Sequence, residues 1–330
     1  MPAISVPRPA QDADIEADGA GATSCVLALI DAVACAAPDA IALRHGPRQL
    51  GYGELTRLAR ARASALRRLG LQDQEPVAIV MRTGIDYIVA MLAVLHAGGA
   101  YLPLSPAQPA ARMARMLAQA GCTRVLADDA GRQACDGLGA QVSCIALGEL
   151  DAPGQRADER CEHADLQPYP PASHTACVIF TSGSTGDPKG VRTLHGNLAS
   201  YAAWSARFFA ETASSRVPLT ASPNYAAATS QIYACLCAGG TLDILDDALG
   251  QPDRLLAFFA SHPDHALHTV PTVWRALLHR LERGTAGRPR ALFLSGEHLP
   301  QELVDRTFAL YPDMPVWNLY GPTECVANIS

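Results

Sequence analysis

Apolar and polar positions along the chain follow two alternating periods. From Leu55 to Leu69, Leu and Ala recur at helical spacing with arginines on the opposite face, and Gly70 supplies a stop. Pro76 to Met81 is a short apolar run of strand character, Ile85 to His96 a helix closed by Gly98-Gly99, and Pro109 to Ala120 a further helix before the strand-like Thr123 to Leu126. Ala176 to Phe180 is uninterruptedly apolar and reads as a buried strand. Beyond it the pattern predicts helices over 196–208, 252–261, 271–281 and 300–310, with strands over 241–245, 266–270, 291–294 and 316–319. Cys235 and Cys237 fall in an apolar helix candidate and read as core.

This rhythm predicts an α/β protein with mainly parallel sheets, in which ligands collect at the carboxyl ends of strands. A length of 330 residues exceeds what one hydrophobic core usually serves. The polar, proline-bearing stretch from Asp128 to Ala176 is therefore expected to divide two stacked α/β lobes, 24–175 and 176–330. A loose Pro/Ala/Asp-rich leader without the apolar core of a signal peptide occupies 1–23. No internal repeat is visible.

Composition narrows the function classes. With 49% hydrophobic and 18% charged residues the chain is an ordered globular protein. A net charge of −6 argues against nucleic acid or an anionic membrane as partner, and no apolar run reaches the length of a membrane span. Ten cysteines without a C-x-x-C pair suit a reducing cytoplasm better than a disulfide framework. His262, His265 and His268 recur every third residue, but Pro263 breaks the segment and no thiolate accompanies them, so the spacing argues against zinc.

The richest chemistry lies in Phe180-Thr-Ser-Gly-Ser-Thr-Gly-Asp-Pro-Lys-Gly-Val191. Gly183, Gly186 and Gly190 let backbone amides approach a ligand closely, and inward-facing amides form a nest for an anion. Hydroxyls from Thr181, Ser182, Ser184 and Thr185 add donors, and Lys189 adds a mobile charge. The ligand such a surface suits is a polyphosphate. The lysine stands at the spacing of a P-loop, but Pro188 and Gly190 replace the glycine and the Mg²⁺-binding hydroxyl of that motif. Proline also has no N–H to offer a phosphate, which makes the P-loop reading the weaker one. A second polar cluster, Asn318-Leu-Tyr-Gly-Pro-Thr-Glu324, follows another strand-like run. Glu324 offers hard oxygens for Mg²⁺, Thr323 a hydroxyl for a phosphate and Tyr320 a flat face for a base.

With these segments in view, the chain resembles the adenylate-forming (AMP-binding) enzymes, in particular the adenylation domains of nonribosomal peptide synthetases. The likeness is carried by Leu50 to Leu55, Leu95 to Pro106, the glycine loop, Ser295 to Pro300 and Asn318 to Glu324, in the family's order. The resemblance implies attack of a carboxylate on the α-phosphate of ATP, giving an acyl-adenylate and pyrophosphate. The acyl group then passes to a phosphopantetheine thiol on a carrier domain. It further implies that Thr181, Ser182, Gly183, Ser184, Thr185, Gly186 and Lys189 grip the phosphates. Glu324 would bind Mg²⁺ and Thr323 the α-phosphate. Tyr320 would stack on adenine, beside Gly321, with Asn318 and the Gly296-Glu297 backbone around the base. The implied substrate pocket comprises Ala226, Ala227, Ser230, His268, Phe293, Ser295, Leu319, Ala327 and Asn328.

Two departures from the family's pattern stand out. Ala226 falls where the family has an aspartate for the substrate's α-ammonium. Either the substrate lacks an α-amine, or another acceptor serves it, or the alignment slips. The chain also stops shortly after Glu324, before the family's ribose-binding aspartate and its mobile C-terminal domain with the lysine that contacts the acyl phosphate. The expectation is an adenylation domain impaired on its own. The alternatives are a split enzyme completed by a second polypeptide, a non-catalytic fragment, and a P-loop NTPase.

Overall fold

The computed structural model describes residues 25–139, 141–151, 169–182, 187–212, 216–245 and 250–326; the expected leader 1–23 lies outside them. Helix α1 (Val26–Ala36) leads into the hairpin β1 (Ile41–His45) and β2 (Arg48–Gly51), then α2 (Tyr52–Arg68). Strand and helix then alternate through β3 (Pro76–Val80), α3 (Ile85–His96), β4 (Ala100–Leu104), α4 (Ala110–Gln119), β5 (Arg124–Ala127), α5 (Asp129–Cys135), β6 (Ser143–Ala146) and α6 (Leu147–Leu150). A second hairpin, β7 (Thr175–Ser182) and β8 (Pro188–Leu194), precedes α7 (His195–Thr212), α8 (Ala226–Cys237) and β9 (Leu242–Asp243). The chain continues through α9 (Pro252–Ser261), β10 (Leu267–Thr269), α10 (Pro271–Glu282), β11 (Leu292–Leu294), α11 (Gln301–Leu310), β12 (Val316–Asn318) and a 3₁₀ turn over Thr323–Cys325.

These elements form an α/β protein with parallel and mixed sheets. One sheet runs β6-β5-β3-β4-β7-β8, parallel except at the β7–β8 edge; a second runs β10-β11-β12, all parallel; a third joins β2-β1-β9. Helix α3 is apolar on nearly every side because it is wrapped: α1, α2, β1, β3 and β4 all pack on it, and Ile85 and Tyr87 to Leu95 are buried.

Strand pairing crosses the division expected at 175/176. Strand β7 pairs in parallel with β4 through Tyr101 and Cys177, and β8 completes that same sheet. The stretch read as a divider contributes α5 and β6, the latter paired with β5 at the sheet's edge. Its polarity reflects exposed edge positions such as Ser143 and Cys144. Strand β9 likewise crosses the division to pair with β1.

Helix α2 is tied to the end of α8 by one buried phenol. The Tyr52 hydroxyl, on a fully buried ring, lies 3.0 Å from the Leu236 carbonyl and 2.8 Å from that of Gly240. Tyr52→Phe keeps the ring and strands these acceptors, so we expect a loss of about 1.5 kcal/mol in urea unfolding, with the circular dichroism spectrum unchanged.

Candidate functional site

The parallel register of the β10-β11-β12 sheet aligns three rows. Leu267, Leu292 and Val316 form one, His268, Phe293 and Trp317 the next, and Thr269, Leu294 and Asn318 the last. Because side chains alternate across a sheet, the leucine rows face α9, α10 and α11. The middle row faces the other way, where Phe293, Trp317 and Leu319 pack with Phe208 and Phe209 of α7 and Ala234 of α8. Phe209 and Phe293 meet edge to face, with ring centroids 4.7 Å apart.

His268 is buried in this layer and joins two serines from different elements. Its Nδ1 is 3.2 Å from Ser230 Oγ on α8, and its Nε2 is 2.9 Å from Ser295 Oγ beyond β11. Ser230 Oγ–H donates to the Ala227 carbonyl at 2.8 Å. That commits the hydroxyl hydrogen, so Nδ1 carries the imidazole proton and Nε2 accepts from Ser295. Burial pushes the His268 pKa down to about 4, so the ring is neutral around pH 7. Ser230, His268, Phe293, Ser295 and Leu319 thus converge on one face of the sheet. Ala226 and Ala227, half-buried in the first turn of α8, bring only methyl groups. Ala327 and Asn328 lie outside the described residues.

One organising residue escaped the sequence reading. Gln231 Oε1 accepts from the backbone N–H groups of Thr220 and Ala221, both at 3.1 Å, while its Nε2 donates to the His268 carbonyl at 2.9 Å. It ties the β10 backbone at His268 to the 219–221 segment. Its only sequence signal is a polar residue within the apolar run of α8.

At the carboxyl ends of the strands stand the polar segments. Gly296 takes φ +81°, a left-handed conformation that turns the chain sharply after β11. Glu297 Oε2 accepts from Thr272 N at 3.0 Å and from its hydroxyl at 2.6 Å, holding the loop to the start of α10. Asn318 is exposed at the end of β12, Leu319 is buried, and Tyr320 presents 79% of its surface. After Gly321 and Pro322, the 3₁₀ turn carries Thr323, partly exposed, and Glu324, exposed. The turn ends on Val326 at φ 75°, a strained conformation for a β-branched residue.

The described ends of the glycine loop lie on β7 and β8. Thr181 pairs with Lys189 and Ser182 with Pro188, while Gly183, Ser184, Thr185 and Gly186 lie outside the described residues. Lys189 is exposed, and β8 packs against the Thr323–Cys325 turn. The fold therefore brings the two polar clusters, well over a hundred positions apart in sequence, to neighbouring backbone.

Of the three regularly spaced histidines, His262 and His265 meet edge to face with ring centroids 5.3 Å apart, and each has its own further partner. His262 stacks on Phe258, with centroids 4.3 Å apart. His265 Nε2 lies 2.9 Å from Asp243 Oδ2, and His268 faces its serines. Among the described residues no group of three His, Cys, Asp or Glu side chains is placed to hold a metal ion, and no helix is long and apolar enough to cross a membrane. One carboxylate, Glu324, near the lysine-bearing strand is nevertheless a donor set that suits Mg²⁺, which usually keeps several waters and binds one or two carboxylates together with substrate phosphates.

The sequence and the α/β fold have counterparts among known proteins. The family model described as AMP-binding enzyme matches residues 30–330, and the chain belongs to that family. It is 34% identical over 296 residues to the AMB antimetabolite synthetase AmbB of Pseudomonas aeruginosa, covering 90% of this chain and 23% of that protein. It is 32% identical over 323 residues to the phosphinothricin tripeptide synthetase PhsB of Streptomyces viridochromogenes, covering 96% of this chain and 26% of that one. The chain thus spans about a quarter of these two relatives. Among solved structures, the nonribosomal peptide synthetase FmoA3 superposes with a TM-score of 0.79 at 28% identity, over 91% of this chain and 31% of that chain. The N-terminal subdomain of Klebsiella oxytoca NpsA superposes at 0.81 with 22% identity, over 93% of this chain and 74% of that chain, a likeness of fold.

Proposed function

We propose that this site activates a carboxylic acid with ATP, as part of a peptide or related secondary-metabolite assembly. The observation that carries the reading is the packing of β8, with Lys189, against the turn that carries Thr323 and Glu324. A substrate carboxylate oxygen attacks the α-phosphorus of ATP. The bond from that phosphorus to the α,β-bridging oxygen breaks, and pyrophosphate leaves with the electron pair. Catalysis is then mostly orientation and neutralisation of phosphate charge. Lys189 and the hairpin tip hold the phosphates, Glu324 holds Mg²⁺, and Thr323 bonds the α-phosphate. Tyr320, Gly321, Asn318 and the Gly296-Glu297 backbone surround the adenine. The activated acyl group is handed to the phosphopantetheine thiol of a carrier domain, as the family relationship suggests.

The pocket side chains favour an acid without an α-ammonium. Ala226 and Ala227 are methyls, Phe293 and Leu319 are apolar, and His268 is neutral between Ser230 and Ser295. A buried ammonium facing these groups would lack a counter-charge, at a cost of several kcal/mol. The hydroxyls and imidazole suit a substrate hydroxyl or carbonyl instead. Substrate-dependent exchange of labelled pyrophosphate into ATP, run with amino acids and with aryl and hydroxy acids, tests both points. We expect whatever exchange this chain supports to be confined to acids lacking the α-amine. Exchange confined to α-amino acids would overturn the pocket reading, and ATP cleavage to ADP and phosphate without any acid would overturn the reaction class.

A further inference from the structure

At the amino ends of β10, β11 and β12, the opposite edge of the sheet from Gly296 and Asn318, the loops entering the three strands enclose a cleft of about 480 Å³. Asp264 comes from the loop before β10, Arg288 and Arg290 from the loop before β11, and Asp313 from the loop before β12. Pro263, Pro289 and Pro315 form the apolar part of the wall, with φ fixed by their rings. The loops are tied to one another through the backbone. Arg290 N–H donates to the His265 carbonyl at 2.8 Å, and Leu292 N–H to that of Pro315 at 2.9 Å. Arg288 lies over the Tyr311 ring, its guanidinium carbon 5.0 Å from the centroid. The cleft is therefore formed before any ligand arrives, and its size suits a small molecule.

Charges of both signs share this cleft without neutralising each other. Nearby exposed arginines close onto carboxylates, as Arg280 does on Asp253 at 2.6 Å and Arg306 on Glu282 at 2.8 Å. Among the described residues, Asp264 and Asp313 form no ion pair with Arg288 or Arg290. Two guanidinium groups and two carboxylates thus keep their hydrogen-bonding capacity for a ligand. We propose that the cleft binds a free α-amino acid with a small apolar side chain, as its zwitterion. The ligand carboxylate accepts from guanidinium N–H groups of Arg288 and Arg290, whose planar forks match it. The ligand ammonium donates to Asp264 and Asp313, and the side chain packs on the prolines. A simple anion would meet the two carboxylates unpaired, and a simple cation the two guanidinium groups, so only a ligand with both charges satisfies the whole set.

Titration of the isotope-labelled chain with L-valine, followed by amide chemical shifts in NMR spectra, tests this. It needs neither ATP nor turnover, so it holds or fails independently of the proposed reaction. We expect saturable shifts in the millimolar range at Asp264, Arg288, Arg290 and Asp313. Acetate and ethylammonium should each bind at least about 10-fold more weakly, because each forfeits one set of charged hydrogen bonds. Arg290→Gln and Asp313→Asn should each weaken valine binding by about 10-fold. Both side chains are exposed, and the amide spectrum of each variant reports directly that the fold is kept. Absent or unsaturable shifts would overturn the proposal, as would acetate or ethylammonium matching valine. Undiminished binding in both variants, or shifts centred on His268 and Asn318 in place of the cleft, would overturn it equally.

Discussion

Glu324→Gln and Lys189→Ala are each expected to cut acid-dependent pyrophosphate–ATP exchange about 100-fold, the usual effect of removing one group that neutralises charge in a transition state. The structural basis is the adjacency of their backbones, with Lys189 on β8 and Glu324 on the turn that β8 packs against. The two variants should differ in character. On the proposed roles, Glu324→Gln would weaken an Mg²⁺ ligand, so part of its loss should return as Mg²⁺ is raised. On the same proposal Lys189→Ala would remove a direct phosphate contact, and its loss should persist at any Mg²⁺ concentration. Both side chains are exposed, so denaturant midpoints should stay within about 0.5 kcal/mol of the unsubstituted chain. Undiminished exchange in Glu324→Gln at low Mg²⁺ would remove that residue from the site.

The second large effect is acid instability. His96, His195 and His268 are each pushed down to about 4, in every case chiefly by burial. His96 also sits 4.0 Å from Asp31, which opposes the shift, while Arg60 adds to it; for His195 the other two contributors are His174 and His96. A histidine with a depressed folded pKa binds fewer protons in the folded state than in the unfolded one. Its contribution is therefore complete above pH 6.5 and is lost as pH falls toward 4. Within that window each histidine gives up about 1.4 kcal/mol per pH unit. Between pH 7.5 and pH 5 we expect a loss of about 2 kcal/mol per histidine in denaturant unfolding. His268→Gln should flatten the profile by one histidine's share, and a stability flat from pH 7.5 to 5 would overturn the assignment. Acid should also weaken the pocket, because protonated His268 can no longer accept from Ser295.

Legibility from sequence followed the length and regularity of each element. Helices α3, α4, α9, α10 and α11, and the strands that alternate with the last three, fall where the periodicity placed them. Short or atypical elements did not show. Strand β4 contains Pro103, which has no N–H for the ladder, yet it pairs centrally with β3 and β7. Strand β6 is an edge with exposed polar positions and read as linker. Strand β8 read as loop because its first three residues are Pro188-Lys189-Gly190, and only pairing with β7 makes it a strand. In the pocket, His268 was legible as a candidate but its role was open. The choice depends on Ser230 and Ser295, which no sequence spacing ties to it, and on Gln231, which looks like one polar residue in an apolar helix.

What the chain's sequence determined by itself is chemistry that is local: a hydroxyl- and glycine-rich run with one lysine, an acidic turn after a strand, and an α/β rhythm. Each follows from neighbouring residues, whose backbone freedom and side-chain type need no distant partner. Only the tertiary structure decided which of these act together. Parallel strands carry their following loops to a common edge, so pairing among β10, β11 and β12, and packing of β8 on the last turn, bring segments remote in sequence side by side. Burial did the same for protonation. Burial beside the Phe209 ring, and not its place in the sequence, makes His268 a neutral bridge between two serines.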